Sequence, residues 1–188
     1  FRGVTGVQTC ALPISPSLLG SWKARGEDAD VITVVQGLRN KLGAATEVVY
    51  VRGCDFLDTK TNEFAQARQA AANADVVIAV VGEKALMSGE SRSRAFLSLP
   101  GLQQQLIDTL KTTGKPLVTV LMNGRPLTLG HVNEQTDALL DAWFPGTQCG
   151  NAVADVLFGD VNPSGKLTVS FPYAEGQIPN HYNYRRSG

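Results

Sequence analysis

Asp75 to Pro100 reads DVVIAVVGEKALMSGESRSRAFLSLP. The run Val76–Val81 is apolar without a break, the pattern of a strand buried on both faces of a sheet. It stops at Gly82 and Glu83. A loop rich in Gly and Ser follows, carrying Glu83, Glu90, Arg92 and Arg94, and Pro100 then introduces a helical pattern at Gly101-Leu102-Gln103. In open α/β sheets, a buried strand ending in a charged loop before a helix is where sites are built. This loop is therefore read as the chemical end of the molecule.

The flanking segments repeat the alternation. Thr33 is an N-cap for a helix with Val34, Val35, Leu38 and Leu42 on one face, and Gly43 is its stop. Val48–Val51 reads as a strand, Phe64–Ala74 as an Ala-rich helix, and Leu102, Leu106 and Leu110 as the apolar face of another helix. Leu117–Met122 is a strand closed by the turn Asn123-Gly124-Arg125-Pro126. Ala138–Phe144 reads as a further strand interrupted by Asp141, and 151–158 as a helix after the loop Pro145–Gly150. Lys166–Phe171 alternates like a half-buried edge strand, and Tyr182–Gly188 shows no core role. Strands and helices in this order predict an α/β fold: a mostly parallel, flavodoxin-like sheet with helices on both faces. Right-handed crossovers bring Gly82–Leu99, Asn123–Pro126 and Phe144–Gly150 to one rim. The site is expected there.

Composition narrows the function. The 188 residues suffice for one domain with a core, and 17 Lys plus Arg balance 17 Asp plus Glu, so no net field attracts nucleic acid or an acidic membrane surface. No apolar run is long enough for a membrane span. Three distant cysteines and two histidines indicate neither a disulfide framework nor a metal site. No Walker A loop, dinucleotide fingerprint or nucleophile elbow occurs, which disfavours a self-contained kinase, dehydrogenase or hydrolase.

Residues 1–15, FRGVTGVQTCALPIS, do not fit the pattern. They show neither strand nor helix periodicity and lack the form of a signal peptide. VQTCALPIS resembles a translated sequencing-adapter remnant, the alternative being a genuine irregular segment. The domain is accordingly drawn as 16–184, with 1–15 a non-native segment and 185–188 a tail. A fold of this kind requires a strand just before residue 16. That strand is expected to be missing, or replaced by the suspect segment. Were it missing, its neighbours would expose unpaired amides and the chain would associate.

Among candidate side chains, Glu90 is a carboxyl at a loop tip near Arg92 and Arg94, which are placed to hold it or to pair with Glu83. General-acid work also needs burial or a neighbouring anion, which no residue of this chain clearly supplies. Glu83, one residue past the strand, is placed to bond backbone amides of the next loop. Trp22, in Gly20-Ser21-Trp22, either covers the sheet edge or offers an indole face to a flat ligand.

VVIAVVGE, SLPGLQQQLIDTL, GKPLVTVLMNGRPL and DAWFPGTQCGNAVADVLFGDVNPSGKLTVSFP resemble the C-terminal α/β sandwich domain of glycoside hydrolase family 3, most nearly its bacterial periplasmic β-glucosidases. The resemblance covers about residues 17–184. It implies a two-lobed site, in which a (β/α)8 barrel supplies the Asp nucleophile and binds a β-linked glucoside or oligosaccharide. The sandwich lends the acid/base from the loop after a strand, here Glu90 in SGESRSR, although in some members a barrel residue holds that role. By the same resemblance Trp22 flanks the leaving-group subsite and Arg94 belongs to the substrate-binding rim, with Glu83 and Arg92 supporting the loop. No cofactor or metal is implied, nor any nucleic acid or membrane partner, and the parent is expected to be periplasmic or secreted. No barrel lies in this chain, so a fragment of a longer reading frame, inactive alone, is expected. The alternative is a structural domain that packs on the barrel and shapes its entrance.

Overall fold

The structure, a computed structural model, describes residues 4–10, 16–181 and 183. The expected tail, 185–188, lies outside them. Five parallel strands form one sheet: β1 Val4–Cys10, β2 Glu47–Cys54, β3 Val76–Gly82, β4 Leu117–Met122 and β5 Ala138–Asp141. They stand in the order β2-β1-β3-β4-β5. This is the flavodoxin-type doubly wound order, with its topological switch point between β1 and β3.

β3 shows why both faces must be covered. Val77, Ala79 and Val81 belong to one core, and Ile78 and Val80 to the other. On the first face lie α2 Phe64–Asn73, α3 Gln103–Lys111 and α4 Gly130–Gln135, through Ala67, Ala71, Leu106, Ile107, Leu110 and Val132. On the second lie α1 Val34–Leu42 and α5 Cys149–Leu157, through Val34, Val35, Leu38, Val153 and Ala154. Thr33 caps α1, its hydroxyl accepting from the Gln36 N–H at 3.3 Å.

A first strand is present in the sheet. Val4–Cys10 occupies its place, pairing with β2 from Val4↔Glu47 onward and with β3 over Thr5↔Val76 to Thr9↔Val80. The edges of β2 and β3 are thereby filled, which removes the premise for association through unpaired amides. Periodicity did not reveal this strand because ladder bonds come from the backbone, whatever the side chains.

Three further expectations are corrected. Lys166–Phe171 is not a strand: it joins no ladder, Leu167 and Val169 are exposed, and its anchor is Phe171, packed edge-on against Trp143 at 5.7 Å. Alternation sorts side chains to two sides but supplies no partner edge. β5 ends at Asp141 rather than Phe144, because Trp143 takes a φ of 54° and turns the chain out of the sheet. Cys54 is disulfide-bonded, which spacing alone did not suggest. Cys149 is free and buried, and burial pushes its thiol up to about 12, which keeps it inert. Helix α4 was not expected, since six residues with one buried side chain, Val132, show no periodicity.

Candidate active-site rim

The loops after β3 and β4 and the segment Gly20–Trp22 that follows β1 meet at the carboxyl end of the sheet. The chain enters this region through Gly82. Its φ of 139° is open to glycine alone, and a Cβ there would lie 1.8 Å from the Met122 carbonyl oxygen. Gln103, fully buried at the start of α3, locks the same residue. Its Oε1 accepts the Gly82 N–H at 2.6 Å, and its Nε2 donates to the carbonyls of Gly82 at 2.8 Å and Pro100 at 3.0 Å.

Glu83 follows, its side chain 0% exposed. Its N–H donates to the Met122 carbonyl at 2.8 Å, continuing the β4 ladder. Arg94 Nη1 donates to Glu83 Oε1 at 2.7 Å, and the Gly124 N–H donates to Oε2 at 3.3 Å. Arg125 Nε lies 3.3 Å from Oε1, at ion-pair distance but without hydrogen-bond alignment. Glu83 thus bonds an amide of the neighbouring loop and pairs with Arg94, as its position suggested. Buried carboxylates persist only when paired in this way.

Of the two partners left open for the arginines, Arg94 takes Glu83 and not Glu90. Glu90 is exposed at the loop tip, and among the described residues none hydrogen bonds or pairs with its carboxylate. Arg94 is committed to Glu83 and to the Ser98 carbonyl at 2.9 Å, so it does not hold Glu90. Arg92 is exposed, and its part in the loop is through its backbone: its N–H bonds the Gly89 carbonyl at 3.3 Å. The local spacing of charges brought Glu90 and the arginines together in sequence. The strand end, where Glu83 is buried, outcompetes the solvated tip for the guanidinium.

The tip is nonetheless tied down. Arg125 Nη2 donates to the carbonyls of Met87 and, at 2.6 Å, of Arg92. Glu175 accepts the Leu97 N–H at 2.8 Å, and that amide holds its carboxyl below the usual range. Lys84 pairs with Asp55 at 3.4 Å and lies over the Phe56 ring, joining the β2 and β3 loops. Gly89, at φ 117°, lets Ser21 and Trp22 approach: a Cβ there would sit 2.6 Å from Ser21 Oγ and 3.5 Å from Trp22 Nε1. Trp22 is 75% exposed. Its indole is thus beside the Glu90 turn rather than sealing the sheet. A groove of about 350 Å³ runs past the tip between Leu57, Leu86, Arg92, Arg94 and Pro100.

Sequence reasoning placed Asn123–Pro126 on the rim but gave Arg125 no role, and it treated Gln103 only as a helix residue. The signal was available for Arg125, an arginine in the turn beside the strand that carries Glu83. For Gln103 there was none, because its partners are backbone atoms. A larger apolar cavity, about 560 Å³, lies among Leu42, Val76, Ile78, Val118 and Phe158 at the opposite end of the strands, away from these groups. Among the described residues no cluster of three His, Cys, Asp or Glu could hold a metal, and no helix is long and apolar enough to cross a membrane.

The sequence is 46% identical over 191 residues to a periplasmic beta-glucosidase of Salmonella typhimurium, covering 91% of this chain and 25% of that protein. It is 43% identical over 151 residues to a beta-xylosidase of Formosa agariphila, covering 80% of this chain and 21% of that protein. The crystal structure of a beta-glucosidase from Listeria innocua superposes with a TM-score of 0.91 at 41% identity, over 100% of this chain and 25% of that one. The chain thus spans about a quarter of the length of these relatives. Residues 4–188 match the glycosyl hydrolase family 3 C-terminal domain, and the chain belongs to that family.

Proposed function

We propose that this domain is the accessory active-site lobe of a retaining β-glucosidase-type hydrolase and is inactive by itself. A retaining glycosidase needs two carboxyl groups about 5 Å apart. The observation that carries the reading is Glu90: an exposed carboxylate, unpaired among the described residues, on a loop tethered at both ends, beside an exposed indole. Glu83 is excluded as a second catalytic group, since its oxygens are occupied by Arg94 and Gly124. The nucleophile therefore belongs to another part of the parent protein.

In the assembled site Glu90 gives its proton to the glycosidic oxygen as the C1–O bond breaks and the bonding pair leaves with that oxygen. The other lobe's carboxylate forms the bond to C1. Glu90, now ionised, takes a proton from water as the water oxygen displaces that carboxylate. Trp22 stacks on the leaving-group sugar, and Arg92 and Arg94 line the groove it leaves through. No metal or cofactor enters this scheme. The periplasmic relative supports a periplasmic or secreted parent.

A second reading has its own support. Leu57, Leu86 and Phe96 are each at least 70% exposed in the loops of this rim, as in a surface that packs on another lobe without doing chemistry. One experiment separates the two. The domain replaces its counterpart in the Listeria innocua enzyme, and Glu90→Gln is introduced. A loss of kcat/KM of at least a hundredfold on an alkyl β-glucoside, together with partial rescue by azide of kcat on 2,4-dinitrophenyl β-glucoside, is expected for the acid/base. Full activity leaves only the packing role.

A further inference from the structure

We infer that Arg125 is the positioning residue for the Glu90 turn, an inference that rests on the acid/base reading above and gives it a mechanical basis. One guanidinium nitrogen, Nη2, donates to both Met87 and Arg92 carbonyls, which bracket Glu90 on either side. Between them Gly89 and Ser91 both have positive φ, 117° and 58°. Ser91 is not glycine, and a non-glycine residue in the left-handed region persists only where its surroundings enforce it. The turn's own bond, Arg92 N–H to the Gly89 carbonyl at 3.3 Å, is long and local. The guanidinium is what closes the turn from outside.

Arg125 is itself fixed by two contacts and by its proline neighbour. Its carbonyl accepts Asn123 Nδ2 at 2.8 Å, its Nε lies 3.3 Å from the buried Glu83 carboxylate, and Pro126 restricts the residue before it to extended backbone. The chain from β3 to Glu90 is therefore referred to the end of β4, a rigid element of the sheet. A loop tip held this way keeps its carboxyl within the narrow range that proton transfer demands.

The test uses two readouts. In the 188-residue chain, hydrogen exchange of the Met87 and Arg92 amides, which donate to the Lys84 and Gly89 carbonyls, should rise at least tenfold in Arg125→Gln, with β3 and β4 amides unchanged and Arg125→Lys intermediate. In the domain-swapped Listeria enzyme, Arg125→Gln should lose at least tenfold more kcat/KM on an alkyl β-glucoside than on 2,4-dinitrophenyl β-glucoside, whose leaving group needs no proton. A purely structural defect would lower both alike. Unchanged exchange in the turn overturns the inference, as does an equal loss on both substrates when Glu90→Gln discriminates between them. If Glu90→Gln itself does not discriminate, the acid/base reading fails, and the exchange data alone decide whether Arg125 clamps the turn. Should Arg125→Gln not fold, Arg125→Lys carries both measurements.

Discussion

Glu83→Gln is expected to cost about 3 kcal/mol of folding stability in the isolated chain. The change keeps the shape and removes the charge. Glu83 Oε1 accepts from Arg94 and Oε2 from the Gly124 N–H. A glutamine has one acceptor oxygen, so in either orientation its NH2 faces a donor. The charge-assisted bond from Arg94 is worth roughly 1.5–3 kcal/mol, and one orphaned buried group adds about 1–3. Breaking a buried ion pair costs about 3–5 kcal/mol. The value lies at the low end because the Arg94 and Arg125 side chains are 19% and 18% exposed and can recover some water. Urea unfolding followed by circular dichroism measures it, and the melting temperature should fall by about 6–12 °C for a chain of this size. The double variant Glu83→Gln/Arg94→Gln should be less destabilised than the sum of its parts by at least about 1 kcal/mol. A single-variant loss under about 0.5 kcal/mol, with additive behaviour in the double, would refute the claim that this pair anchors the loop.

Asp141 has both carboxylate oxygens shielded and without a well-aligned donor, and burial raises its pKa, the Trp143 amide offsetting this only in part. A carboxyl raised in the folded state penalises folding above its folded pKa and ceases to do so below the unfolded value. Asp141→Asn should therefore stabilise by about 1 kcal/mol near pH 7, the gain vanishing as pH falls to about 3.5, read from unfolding curves across that range. Trp22→Ala should change chain stability by less than about 0.5 kcal/mol, since the ring is exposed. In the domain-swapped enzyme it should raise KM for a β-linked disaccharide roughly threefold to tenfold.

The parts of the fold legible in sequence are those whose side chains report their surroundings. β4 was read to its exact ends and β3 to within one residue, because strands buried on both faces are nearly continuous apolar runs, Thr119 in β4 being the one polar position of the two. Thr33 and Gly43 bounded α1 because caps are local chemistry. At the rim, sequence offered Glu83 and Glu90 alike as partners for the two loop arginines, and burial of Glu83 at the strand end decided for Glu83 and Arg94. The roles of Gln103 and Arg125 were not legible. Apart from the Pro100 carbonyl, three residues from Gln103, the backbone partners named above are carbonyls and amides about twenty to forty residues away, and backbone atoms carry no sequence signature.

β1 makes the same point in reverse. Its residues, VTGVQTC, lack the continuous apolar character of a central parallel strand, yet the backbone pairs on both sides. Residues 1–15 stay proposed as a non-native segment, of which Val4–Cys10 fills the ladder through its backbone. The distinction matters for the rim, because a doubly wound sheet opens its crevice where the chain reverses direction across the first strand. Trp22 reaches the Glu90 turn from the segment that follows β1, and Glu83 leaves from β3. The two halves of the candidate site hang from the strands on either side of that point. Any strand able to fill the ladder keeps them adjacent, and only its packing decides how firmly.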